Sequence, residues 1–107
     1  MATPESKTKA RVKRILEEAG VYFFMPPANG YGRAGIPDVI ACVNGFFLAI
    51  ECKAGKGTTT ALQERELQRI QAARGIARVI YDREADYAAL TVLIAALKQR
   101  KPNEQMD

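Results

Sequence analysis

Three ionisable residues near the middle of the chain, Asp38, Glu51 and Lys53, are spaced so that a β-hairpin would bring them together. The runs Val39 to Val43 and Phe46 to Lys53 are rich in β-forming residues and are joined by Asn44-Gly45. Asn-Gly is the strongest short-range hairpin signal, because a two-residue type I′ turn needs positive φ at both central positions. In that register Val43 opposes Phe46 and Asp38 opposes Glu51. Directly opposed residues share a face, and Lys53, two positions past Glu51, projects from the same one. Two carboxylates this close repel unless one takes a proton or a cation lies between them. A hard divalent ion such as Mg²⁺ or Mn²⁺ is the usual answer, and a lysine beside it would orient or help deprotonate a water and stabilise charge on a phosphate. The alternative is a salt-bridged cluster in which both carboxylates pair with Lys53.

The composition removes other chemistries. None of the 107 residues is histidine, which excludes Ser-His-Asp triads, Cys-His pairs, His-ligated zinc and histidine general bases. With 48% apolar and 26% charged residues, residues 1–107 read as one globular domain, so a site must be built on the core elements themselves. Sixteen Lys and Arg against twelve Asp and Glu give a net charge of +4, compatible with a polyanionic partner. Cys42 and Cys52 both fall in strand-like runs, and no charged-then-apolar leader is visible. They are expected to be reduced core thiols of a cytoplasmic protein. No apolar run approaches the roughly 18 residues that a membrane span needs.

The positioning elements follow from periodicity and caps. Thr3-Pro4-Glu5 starts a helix whose stripe is Val12, Ile15, Leu16 and Ala19, and Gly20 ends it. Carried back by seven residues, the stripe reaches Glu5, so a carboxylate lies at the end of the buried face. Val21 to Met25 is a short strand closed by Pro26-Pro27. The glycine-rich stretch 28–35, containing Tyr31 and Arg33, is a loop leading into Ile36-Pro37-Asp38 and the hairpin. A basic loop with Lys56 follows Lys53. Thr60 then caps a second helix running to about Arg74 and stopped by Gly75. Ile76 to Tyr81 is another strand, and Asp82 caps a last helix with the stripe Tyr87, Leu90, Ile94 and Leu97, beyond which a polar tail from Lys98 frays. The order α-β-β-β-α-β-α describes an α/β protein with a central sheet flanked by helices.

Pro37-Asp38 followed by Glu51-Cys52-Lys53 resembles the signature of PD-(D/E)xK nucleases, whose αβββαβ core has this element order. The extended set, Gly35-Ile36-Pro37-Asp38, Ile50-Glu51-Cys52-Lys53, Thr60-Ala61-Leu62-Gln63 and Gly75, is similar to the VRR-NUC (virus-type replication-repair nuclease) family, from Glu5 to about Leu90. The resemblance implies a restriction-endonuclease-like fold with a mixed sheet. Asp38, Glu51 and the Cys52 backbone carbonyl would hold Mg²⁺ or Mn²⁺, and Lys53 would be the catalytic lysine. Glu5 would support the metal indirectly, and Gln63 would join the catalytic set. Glu5 also reads as a helix-dipole acid, and Gln63 as the third position of a capping box begun by Thr60.

The implied activity is hydrolysis of DNA phosphodiester bonds, with Holliday junctions or other branched DNA as substrate in phage or bacterial replication and repair. Tyr31, Arg33 and Lys56, in loops bordering the proposed site, would contact the substrate. Lys7, Lys9, Arg11 and Arg14 on the first helix would either extend a basic track or form a solvated face. One small domain offers little DNA-binding surface, which points to a homodimer. The competing reading is a DNA-binding module of nuclease-like fold that does not cut.

Overall fold

The computed structural model describes residues 3–27 and 34–101. Its elements are α1 (Pro4–Glu18), β1 (Tyr22–Phe24), β2 (Val39–Val43), β3 (Phe46–Cys52), α2 (Ala61–Ala72), β4 (Ile76–Ile80) and α3 (Glu84–Gln99). The four strands form one mixed sheet in the order β1-β2-β3-β4. The first three are antiparallel, and β4 lies parallel to β3, with α2 as the crossover between them.

Asn44 and Gly45 both have positive φ, 53° and 86°, and Val43 pairs with Phe46 as the Asn-Gly turn requires. The Asn44 amide also donates to the carbonyls of Leu97 and Arg100, tying the hairpin tip to the end of α3. The strand period of two then sends Val39, Ala41, Val43, Phe46, Leu48, Ile50 and Cys52 to one face, where they pack with Val12 and Leu16 of α1 and Tyr87, Leu90, Ile94 and Leu97 of α3. Each Leu or Ile fully buried there contributes about 1.5–3 kcal/mol. The opposite face carries Phe47, Ala49 and Glu51 and is partly covered by α2.

Both predicted caps on α1 and α2 form: Thr3 accepts from the Ser6 N–H, and Thr60 with Gln63 makes a reciprocal capping box. Three local expectations change. Asp82 does not cap α3, because its carboxylate accepts the Tyr87 hydroxyl at 2.7 Å, and Arg83 occupies the cap position without a side-chain bond. Arg74, at φ 73°, takes the left-handed position after α2, while Gly75 is needed because a Cβ there would meet Ile70 Cγ2 at 2.7 Å. Cys42 is exposed and only Cys52 is a core thiol, since strand alternation turns Cys42 to the face that α2 leaves open. In addition, α3 continues to Gln99, and Lys98 donates to the Ala19 carbonyl at 2.6 Å.

Gly35 decides how the segment before Asp38 reaches the rest of the molecule. Its φ is +84°, and a Cβ would lie 2.5 Å from the Leu62 carbonyl oxygen and 2.9 Å from the Gln63 nitrogen. The backbone before Pro37-Asp38 therefore rests directly on the first turn of α2. Gly35→Ala is expected to lower stability by roughly 2–4 kcal/mol in urea unfolding, through left-handed strain and the clash together.

Candidate metal centre

The β2–β3 ladder ends at the pair Val39 and Ile50. Asp38 lies one residue outside it, so its side chain takes the place of the next backbone bond: Oδ2 accepts the Cys52 N–H at 2.8 Å. The Cys52 thiol points the other way, into the apolar core, where burial raises its pKa. Glu51 is 2% exposed. Its Oε2 accepts from the Gln63 amide at 2.9 Å and lies 3.5 Å from the Lys53 ammonium, whereas its Oε1 is buried with no hydrogen-bond partner among the described residues.

Glu5 completes the group from the first turn of α1. Carboxylate oxygens of Glu5, Asp38 and Glu51 all lie within 4.8 Å of one another. The inward stripe of α1 thus delivers Glu5 to the end of the sheet. Lys53 is held through its backbone from two sides: its N–H donates to the Ile80 carbonyl at 2.9 Å, and its carbonyl accepts the buried Thr8 hydroxyl at 3.0 Å. Gln63 satisfies both of its readings with one amide. Its Oε1 accepts the Thr60 N–H at 2.9 Å, which leaves Nε2 to donate to Glu51.

Two contributors are not assigned to the site by the sequence: Thr8 is not named, and Lys9 reads as part of a basic track or solvated face. Thr8 sits four residues before Val12 on the apolar stripe, and a hydroxyl on that stripe was the available signal. Lys9 places its ammonium 3.4 Å from Asp38 Oδ1; its spacing of four from Glu5 was the only hint. The neighbouring cations of α1 engage acidic partners of their own. Lys7 pairs with Asp82 at 3.6 Å, and Arg11 pairs with Glu84 while lying 4.5 Å over the Tyr87 ring. Lys56 is exposed in the loop after Lys53, and Tyr31 and Arg33 lie outside the described residues.

The comparison with protein families decides what this arrangement belongs to. Residues 6–76, about two thirds of the chain, match the family described as Hjc, archaeal Holliday junction resolvase. The chain belongs to that family. Hjc resolvases are nucleases of the PD-(D/E)xK superfamily that act on branched DNA, and the matched segment contains Asp38, Glu51, Lys53 and Gln63. It begins one residue after Glu5, so the place of Glu5 rests on geometry alone. Neither the curated proteins nor the solved structures give a match.

The donor set suits a hard divalent ion: among the described residues three carboxylates converge, no sulfur joins them, and a buried carboxylate oxygen lacks a partner, while the chain has no imidazole to offer. Burial pushes the Glu51 carboxyl up to about 7, and the nearby Asp38 charge pushes the same way, against the pull of Lys53. In metal-free protein the folded chain therefore keeps a proton that the unfolded chain releases near 4.5. The unfolded state binds fewer protons in that window, so this group makes stability fall as pH rises from about 4.5 to about 7. Thermal melts in EDTA at pH 5 and pH 8 are expected to show this loss, and Glu51→Gln to reduce it.

Proposed function

We propose that this chain is a Mg²⁺- or Mn²⁺-dependent endonuclease that cuts branched DNA, with Asp38 and Glu51 as direct metal ligands. The observation that carries the reading is the buried, partnerless Glu51 Oε1 among three carboxylates, beside Lys53, in a chain of a Holliday junction resolvase family. The Cys52 carbonyl would add a third ligand, and Glu5 would act at one remove. A divalent ion held there would supply charge neutralisation at the phosphate and a more acidic water.

The protein's own groups would do the rest. Lys53, 6% exposed and fixed by Thr8 and Ile80, presents a preorganised positive charge where the phosphate gains negative charge. Gln63, locked by its capping box, holds the Glu51 carboxylate in one orientation. Asp38 is held by the Cys52 N–H, leaving Oδ1 for a cation. Tyr31, Arg33 and Lys56 would contact DNA. The finer likeness to VRR-NUC enzymes rests on Gly35-Ile36-Pro37-Asp38, Ile50-Glu51-Cys52-Lys53, Thr60-Ala61-Leu62-Gln63 and Gly75, and it suggests an intracellular role in phage or bacterial DNA repair. Residues 1–107 would act as one catalytic domain.

A homodimer would place two such sites on a symmetric four-way junction. The face bearing Tyr22, Phe24 and Phe47, which are 72%, 49% and 46% exposed, supports a self-association surface. Light scattering at micromolar concentration is expected to give twice the chain mass, and a monomer mass would refute the dimer. Lys53→Ala is expected to fold, to bind a four-way junction, and to cut it roughly 10²–10³-fold more slowly in Mg²⁺. Undiminished cutting by that variant, or cutting by the wild type in EDTA, would overturn the assignment.

A further inference from the structure

Among the described residues two ammonium groups reach the carboxylate cluster, and they are held in different ways. Lys53 is buried, its backbone is pinned on both sides, and its ammonium lies against Glu51 Oε2. The Lys9 side chain is 37% exposed, projects from the middle of α1 on a flexible four-carbon stem, and lies 3.4 Å from Asp38 Oδ1. Asp38 Oδ2 is committed to the Cys52 N–H, so the oxygen that Lys9 occupies is the one left for an incoming metal.

We infer that Lys9 is an exchangeable counter-ion: it holds Asp38 Oδ1 in the metal-free protein and transfers to a phosphate of the DNA strand when a divalent ion takes that oxygen. The inference rests on the proposed metal-dependent nuclease and adds to its site a lysine from the basic run of α1.

Charge balance supports the exchange. Glu5, Asp38 and Glu51 bring three negative charges when ionised, and Lys53 cancels one. Lys9 cancels a second while no metal is present. A divalent ion in its place balances the cluster and leaves Lys9 surplus, next to the place where the polyanion must bind. A half-exposed lysine is suited to this, because moving between a carboxylate and a phosphate requires no burial or exposure of apolar surface beyond its stem. Lys53 has no such freedom. The device would keep the three carboxylates from repelling one another before the ion arrives, and would couple metal binding to capture of DNA.

Calorimetric Mn²⁺ titration of wild type, Lys9→Gln, Lys9→Met and Lys13→Gln tests the first half. Lys13 is an exposed residue of α1, and its variant carries the same change in net charge. Both Lys9 variants are expected to bind Mn²⁺ roughly ten-fold tighter than wild type, because a competing positive charge at contact distance is gone. Lys13→Gln should differ little, since exposed distant charges are screened.

The second half is read from binding of a four-way junction in Ca²⁺ across a salt series. The Lys9 variants should bind more weakly, and the log-log salt slope should fall by about 0.9, the signature of one lost phosphate contact. Mn²⁺ affinity of Lys9→Gln and Lys9→Met equal to that of Lys13→Gln would overturn the counter-ion role while leaving the metal site standing. Tighter Mn²⁺ binding with an unchanged salt slope would overturn the transfer to phosphate. No Mn²⁺ binding by any of the proteins, wild type included, would overturn the metal reading and this inference with it.

Discussion

The bond from the Cys52 N–H to Asp38 Oδ2 is the constraint on which the site depends. It occurs where the β2–β3 ladder stops, so a side chain takes over a backbone partner and is fixed as firmly as the strand. A buried N–H left without an acceptor would cost about 1–3 kcal/mol, which gives the fold a reason of its own to hold Asp38. The two carboxylate oxygens thereby become unequal. One belongs to the sheet, and the other pairs with Lys9.

Glu51 shows the opposite balance. A carboxylate in the interior, with one oxygen unpartnered, works against folding, and its raised pKa is the measure of that strain. The surroundings supply partial compensation through Gln63 and Lys53, both at Oε2. Gln63 links the two scales. Its amide closes the N-terminus of α2 and orients Glu51, so the start of a helix and the geometry of a carboxylate are set by one side chain. Gly35 draws the segment before Asp38 onto that same helical turn, which brings Asp38, Glu51 and Gln63 into one neighbourhood from three stretches of chain.

Much of this was legible in local pattern. The Asn44-Gly45 turn sets the register from Val43 to Val39, the stripe of α1 carries Glu5 inward, and Thr60 with Gln63 marks the start of α2. Where the reading failed, a tertiary contact competed with a local rule. Asp82 is a good cap in isolation, yet the Tyr87 hydroxyl engages it. Cys42 has the composition of a core strand residue, but α2 does not reach far enough across the sheet to cover it. Lys9 looked like Lys7 and Arg11, and only the packing of α1 across the sheet end separates it from them.

By itself, then, the sequence determined which residue types meet: two hairpin carboxylates, a lysine two positions on, an acid at the head of a helix, and no histidine. Those follow from periods of 2 and 3.6 and from turn chemistry, which depend on neighbours a few residues away. Tertiary structure alone decided which Asp38 oxygen the sheet holds, that Glu51 carries a raised pKa, that one glutamine does two tasks, and which lysine of α1 reaches Asp38. These depend on desolvation and on contacts between α1, the hairpin and α2, from 12 residues apart in the chain for Gln63 and Glu51 to 45 for Thr8 and Lys53, and no local pattern encodes how deeply a charge is buried or what faces it there.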